Sequence, residues 1–348
     1  MKWVGKGRRG VAVASVGLAL VAAGCSSGGG GGGTQGSGST TNVSLQLDFS
    51  WVPDHIPYLW AAAKGYYKDA GLNVQIIQGQ GSGTTMTLVG TGKSQFGWGD
   101  LGTAALAISK GVPIKVAAVL TRQTPFGTEC FKNVHFQSPK DLVGHSVVLI
   151  PSESVAQLWP AYLKANGVNP SQVRVVSATF ADKFTLFIQH RADCMADYYG
   201  IGLDIARDAN PDIGQPIAWS QDGIHTLSQG LVVNEAYAKA HPGVVKAFIA
   251  ASLRGWKAVC ANVPAAMAFY VKEHPELNKK ASDRQLNQVR LQYECNSTMP
   301  LAGTGATQYG PSTAAEWKPM LDILHQFGGL TNEQTPDAYF TNQYLPAK

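Results

Sequence analysis

Side chains able to hold a small planar molecule gather in a few short stretches of this 348-residue chain. Phe49, Trp51, Asp54, His55, Tyr58 and Trp60 lie close together; Trp98 and Asp100 follow; Ser152, Glu153 and Trp159 form a third group, and Tyr198 and Tyr199 a fourth. Aromatic faces stack on flat rings. Asp48, Asp54, Asp100, Glu153 and Asp197 offer acceptors to an amine. The turns Gly81–Thr84 and Ser152–Ser154 each precede a predicted helix, where free backbone amides suit a carbonyl or an anion. The obvious basic side chains in these stretches are His55 and Arg122. A sulfonate or nitrate needs cationic partners, so the balance favours a heteroaromatic, amine-bearing ligand. The expected ligand set is Trp51, Asp54, His55, Ser82, Thr84, Trp98, Asp100, Ser152, Glu153 and Tyr198.

Other chemistries find little support. Gly97-Trp98-Gly99-Asp100-Leu101-Gly102 has the spacing of a dinucleotide-binding turn, but Arg122 stands where the ribose-binding acid belongs. Gly92-Lys93-Ser94 has the ending of a phosphate-binding loop, but Thr87 replaces its first glycine. The histidines show no HExxH, and the cysteines no CxxC, so neither a zinc nor a redox site is expected. No cofactor and no catalytic residue is assigned.

The elements that must position these residues alternate. Val43–Phe49 has a strand pattern, and Pro57–Ala70 is helix-like up to Gly71. Strand Leu72–Ile77, helix Thr84–Val89, strand Gln95–Trp98, helix Thr103–Ser109 and strand Ile114–Leu120 follow. The pattern then restarts with strand Ser146–Ile150, helix Ser152–Asn166 (shortened or kinked by Pro160), strand Val173–Ser177, helix Ala181–His190 and strand Cys194–Tyr198. Gly230–Val233 returns to strand, and the remainder is mostly helical. Such alternation predicts βα units and largely parallel sheets. Two similar halves, linked near Arg122–Phe126 and Leu227–Gly230, make two hinges and a cleft for a ligand.

The N-terminus reads as an export signal. Lys2, Lys6, Arg8 and Arg9 precede the apolar run Val11–Ala23, which is too short to span a bilayer. Val21-Ala22-Ala23-Gly24-Cys25 resembles the bacterial lipobox, in which Cys25 becomes lipidated. Gly28–Gly33 and the Ser/Thr-rich residues around them have the composition of a flexible tether. Of 28 Lys and Arg and 23 Asp and Glu, four basic residues leave with the signal, so 24 against 23 gives a net charge of +1. That charge offers nothing to nucleic acid. An exported protein meets oxidising conditions, so Cys130, Cys194, Cys260 and Cys295 are expected to pair. Four cysteines allow three pairings; Cys130–Cys194 with Cys260–Cys295 is favoured because each bond stays within one half.

Several segments resemble the substrate-binding proteins of the thiamine-precursor (NMT1/THI5-like) and sulfonate/nitrate type. Leu47–His55 resembles that family's opening strand and ligand loop, and Ala63-Lys64-Gly65-Tyr66-Tyr67-Lys68-Asp69-Ala70-Gly71-Leu72 its characteristic helix end. Gly81–Thr85, Gly90–Gly97 and Ser138-Pro139-Lys140-Asp141-Leu142-Val143-Gly144 resemble later segments of it. The resemblance covers residues 43 to about 280. It implies an α/β, type II periplasmic-binding-protein fold, with two lobes joined by two hinge strands and the ligand in the interlobe cleft. His55 sits where thiamine-precursor members carry a ligand-loop histidine. After Tyr198-Tyr199 the family often has an acidic residue, whereas Gly200-Ile201-Gly202 stands here.

The expectation is therefore an extracytoplasmic lipoprotein, not an enzyme. It would deliver a thiamine-pyrimidine-like ligand to an ABC permease and its ATPase. Residues 1–24 are the signal peptide, 25–42 the tether, 43–122 lobe I, 123–228 lobe II, and 229–348 the completion of lobe I with C-terminal helices. A monomer held to the membrane by its lipid is expected. The alternatives are a sulfonate, nitrate or riboflavin binding protein, a sensor that docks to a receptor, and an enzyme resembling the fungal pyrimidine synthase, which consumes pyridoxal phosphate and its own histidine.

Overall fold

The computed structural model describes residues 40–198, 202–297, 309–332 and 334–347. The expected signal, Cys25 and nearly all of the tether lie outside the described residues, as does Tyr199. The elements in order are β1 (Thr41–Gln46), α1 (Ile56–Ala63), α2 (Tyr66–Asp69), β2 (Leu72–Ile77), α3 (Ser82–Gly90), β3 (Phe96–Asp100), α4 (Leu101–Ser109), β4 (Ile114–Val119), β5 (Phe126–Cys130), β6 (Ser146–Leu149), α5 (Ser154–Ala165), β7 (Arg174–Ser177), α6 (Lys183–Ile188), β8 (Cys194–Tyr198), α7 (Gly202–Ala209), β9 (Ile217–Ala218), β10 (Gln229–Asn234), α8 (Glu235–Ala240), α9 (Pro242–Ala261), α10 (Val263–Glu273), α11 (Ala281–Ser297) and α12 (Ala314–Ile323). No described helix is long and apolar enough to cross a membrane.

Two five-stranded sheets form, in the orders β2-β1-β3-β10-β4 and β7-β6-β8-β5-β9. Val43 and Leu45 of β1 reach into the core between helices, and β1 pairs in parallel with β2 from Thr41 opposite Leu72 to Gln46 opposite Ile77. Stacked rings fill one face of the first sheet: Phe96 lies on Phe248 with centroids 3.8 Å apart, and Tyr67 on the same Phe248 at 5.6 Å. In the second sheet, Phe126 of β5 packs edge-on against both Tyr198 and Trp219.

Four expectations are corrected. The sheets are mixed, because β10 runs antiparallel to β3 and β4, and β5 antiparallel to β8 and β9. β5 is the first strand after the chain crosses into the second sheet, and β10 the first after it crosses back, so each follows a crossing and not a βα unit. Phe126, read as part of a link, opens β5. The single helix expected over Pro57–Ala70 is broken at Gly65, whose φ of 75° lies in the left-handed region that side chains avoid. Pro160 does not cut α5 short, since the helix runs through it to Ala165.

The chain crosses between sheets twice, and the crossings bond to each other. Thr124 N donates to Thr226 O at 3.2 Å, and Ser228 N to Thr121 O at 3.1 Å. The disulfides join Cys130 to Cys194, directly paired residues of β5 and β8, and Cys260 to Cys295, which ties α11 to α9.

Candidate functional site

A cavity of about 160 Å³ lies between the two sheets, at the ends of their strands. Asp48 and Phe49 follow β1, Asp54 sits on the 3-10 turn Pro53–His55, and Ser82 opens α3. The second sheet supplies Glu153 before α5, Lys183 on α6, and Asp197 and Tyr198 at the end of β8, with Phe180 and Phe184 beside them. Gln229, the first residue of β10, and Arg290 of α11 complete the wall.

The two sides touch across the cleft. Phe49 and Phe180 meet edge to face with centroids 4.4 Å apart. Ser152 Oγ donates to Gln80 O at 2.6 Å, and Gly83 N donates to Ser152 O at 3.1 Å. The structure is thus a closed one.

Two linked charge clusters line the cavity. On one side Asp48 Oδ1 lies 3.0 Å from His55 Nε2, and Asp48 Oδ2 accepts from Gln229 Nε2 at 3.0 Å. Arg290 Nη2 stands 3.0 Å from Asp54 Oδ1. Burial pushes the Asp54 carboxyl up, but Arg290 and His55 outweigh it and leave Asp54 below the usual carboxylate range. Glu294, one turn beyond Arg290 and buried, is pushed to about 8 by burial and by Asp54. On the other side Lys183 Nζ donates to Glu153 Oε1 at 2.7 Å and stands 2.9 Å from Asp197 Oδ2. Burial disfavours the Lys183 charge, yet Asp197 and Glu153 hold the ammonium above its usual range.

Of the predicted ligand set, Asp54, Ser82, Glu153 and Tyr198 line the cavity. The other six serve elsewhere. His55 is fully buried behind Asp48. Trp98 is fully buried between Tyr58 and Trp256. Asp100 caps α4 by accepting from Thr103 N at 2.7 Å. Trp51 packs on His274, Thr84 bonds back to Gln80 O, and Ser152 makes the interlobe bond already described. Arg122, read as a basic candidate, pairs instead with Glu316 at 3.0 Å. Lys183, Gln229, Arg290, Phe180 and Phe184 were missed. Lys183 and Arg290 look like solvated helix residues in sequence, and only their burial among acids marks them.

Asp48, Asp54 and His55 bring ligand-type atoms within 4.8 Å of one another, the one such cluster among the described residues. Arg290 already supplies that cluster with a cation, and His55 Nε2 is committed to Asp48. These contacts disfavour a metal there.

The NMT1/THI5-like family model matches residues 52–266. The chain belongs to this family. A riboflavin-binding protein, RibY, of Chloroflexus aurantiacus is 26% identical over 86% of this chain and 85% of its own length. A formylaminopyrimidine-binding protein of Halalkalibacterium halodurans is 24% identical, covering 82% and 86%. A Saccharomyces cerevisiae protein named 4-amino-5-hydroxymethyl-2-methylpyrimidine phosphate synthase is 23% identical over 71% of this chain and 75% of its own. Among solved structures, the alkanesulfonate-binding protein SsuA of Xanthomonas axonopodis superposes with a TM-score of 0.63 at 10% identity, covering 88% of this chain and 98% of that one. The fold of this NMT1/THI5-like protein is that of the periplasmic binding proteins, with α/β lobes on either side of the cleft.

Proposed function

We propose that this protein is the solute-binding component of an ABC importer, and that it carries a small, amine-bearing heteroaromatic molecule of the thiamine-pyrimidine type. One observation carries the reading. Four carboxylates, Asp48, Asp54, Glu153 and Asp197, line the cavity beside three phenylalanines and a tyrosine, and both cations in its wall are already paired with acids. A sulfonate or nitrate entering it would meet excess negative charge, whereas a flat ring with N–H donors meets aromatic faces and acceptors. A volume of about 160 Å³ is below the roughly 300–1,000 Å³ of drug-sized sites and suits one ring better than three. The RibY relationship keeps riboflavin as the second reading.

Export and lipidation at Cys25, with residues 25–42 as tether, would place the protein outside the cytoplasm as a membrane-anchored monomer. Residues 43–122 and 229–348 would form one lobe and 123–228 the other, closing about Gln123 and Ser228 so that the permease reads the closed form. An enzymatic role is disfavoured because Lys183 is held by two carboxylates and is not free to form an imine.

A thermal-shift panel with 4-amino-5-hydroxymethyl-2-methylpyrimidine, riboflavin, taurine and nitrate tests the reading. A ligand at 100 times its Kd stabilises by about 2.7 kcal/mol. A shift with the pyrimidine is expected. A shift with taurine or nitrate alone would overturn the ligand class, and an imine absorbance near the visible would overturn the binding-protein reading.

A further inference from the structure

Three buried polar atoms in the cavity wall make no hydrogen bond: Asp54 Oδ1, which stands in ion contact with Arg290 Nη2, and Gln229 Oε1 and Arg290 Nε. Gln229 is 1% exposed, and its Nε2 is committed to the Asp48 carboxylate, which accepts only. Its Oε1 is therefore turned away from Asp48, and it accepts from nothing. Arg290 spends Nη2 on Asp54, and its buried Nε donates to nothing. Leaving a buried polar group unpaired is destabilising, and an orphan in a folded protein calls for an explanation. Both residues line the same cavity. The run Gln229–Asp48–His55–Asp54–Arg290 holds them in one continuous chain of contacts.

We propose that Gln229 and Arg290 read the polar edge of the ligand, Gln229 Oε1 accepting a hydrogen bond from a ligand N–H and Arg290 Nε–H donating one to a neighbouring ligand acceptor. This deepens the heteroaromatic reading and rests on it. The ligand class is then a ring with adjacent donor and acceptor, as in the amidine edge of a 4-aminopyrimidine or the imide edge of a flavin. Asp48 and Asp54 hold the two readers in place.

Arg290 comes from α11, beyond residue 266 where the family match ends. A helix there needs anchoring if it is to aim a side chain. The Cys260–Cys295 bond supplies the anchor, five residues along from Arg290 on the same helix. The disulfide is thus a positioning element for the edge reader.

The test is titration calorimetry on the full-length protein with three probes: 4-amino-5-hydroxymethyl-2-methylpyrimidine, its 4-dimethylamino analogue, and riboflavin. Taurine serves as the counter-probe. Arg290→Lys keeps a cation beside Asp54 but loses the Nε donor. It is expected to weaken the ring ligand that binds by at least tenfold, while circular dichroism and Tm stay close to wild type. The dimethylamino analogue, which lacks the N–H, is expected to bind at least tenfold more weakly than the pyrimidine if the pyrimidine is the ligand. Cys260→Ser with Cys295→Ser leaves Arg290 in the chain and frees α11, and a comparable loss is expected. Ring binding within twofold of wild type in Arg290→Lys would overturn the edge assignment and spare the heteroaromatic reading. Full affinity in the serine pair would overturn the anchoring role alone. Binding of taurine and of no ring probe, or of no probe at all, would overturn both.

Discussion

Asp48 Oδ1 lies 3.0 Å from His55 Nε2, and both side chains are buried. The histidine thus supports the carboxylate from behind while Asp48 faces the cavity. Asp48→Ala removes the acceptor for both His55 and Gln229 and is expected to destabilise the fold by about 3 kcal/mol. It should also abolish ligand binding. His55→Gln retains a donor for Asp48 and should keep affinity within about threefold. Urea unfolding and calorimetry on the two variants decide this, and selective loss of affinity in His55→Gln would restore His55 as a direct ligand.

Lys183 is the cation between Glu153 and Asp197. Lys183→Met leaves two buried acids facing each other, and a loss of about 3–5 kcal/mol is expected. Adding Glu153→Gln and Asp197→Asn should recover most of it, because the cost lies in the uncompensated charge. Denaturant midpoints of the single and triple variants measure this, and a triple variant no more stable than the single one would contradict it.

Asp100 gives a pH signature. Burial raises its carboxyl to about 7, despite the bonds from Thr103. The folded state therefore holds the proton more tightly than the unfolded state does. The resulting stability is fully present below pH 4 and is lost as pH rises through 7. Asp100→Asn keeps a cap for Thr103 N and should make the Tm profile shallower between pH 4 and 7, the remaining slope coming from Glu294, which burial raises in the same direction. An unchanged slope would assign the dependence to other acids.

Gly81 holds φ at 102°, and a Cβ there would fall 2.2 Å from Ser152 O across the cleft. Gly81→Ala is expected to keep the lobes apart. Small-angle scattering with saturating pyrimidine should then show no compaction, and affinity should fall at least tenfold. Wild-type compaction in the variant would show that this contact does not set closure.

Much of the architecture is legible without coordinates. β2 spans Leu72–Ile77 and β8 Cys194–Tyr198, as predicted, because their apolar runs and bounding turns are local signals. Antiparallel β10 is not legible, since strand direction depends on how the chain returns from the second sheet. The aromatic residues divide for a similar reason. Trp98 and Phe49 look alike in sequence, but Trp98 faces Tyr58 and Trp256 whereas Phe49 faces Phe180 across the cleft. Side-chain alternation tells which residues share a face of a strand, not which face meets the ligand.

From the amino-acid sequence alone come the alternation of strands and helices, the family resemblance, and an acidic, aromatic character for the candidate site, with Asp54, Ser82, Glu153 and Tyr198 among the residues that line the cavity. These follow from composition and short-range spacing, which act within a few residues. The tertiary structure decided which polar groups are spent on one another and which are left over. Gln229 meets Asp48 across a separation of 181 residues, and Lys183 is buried only because two carboxylates from other elements offset its desolvation. Such pairing energies arise when distant segments are brought into one low-dielectric space, so no local pattern could announce them.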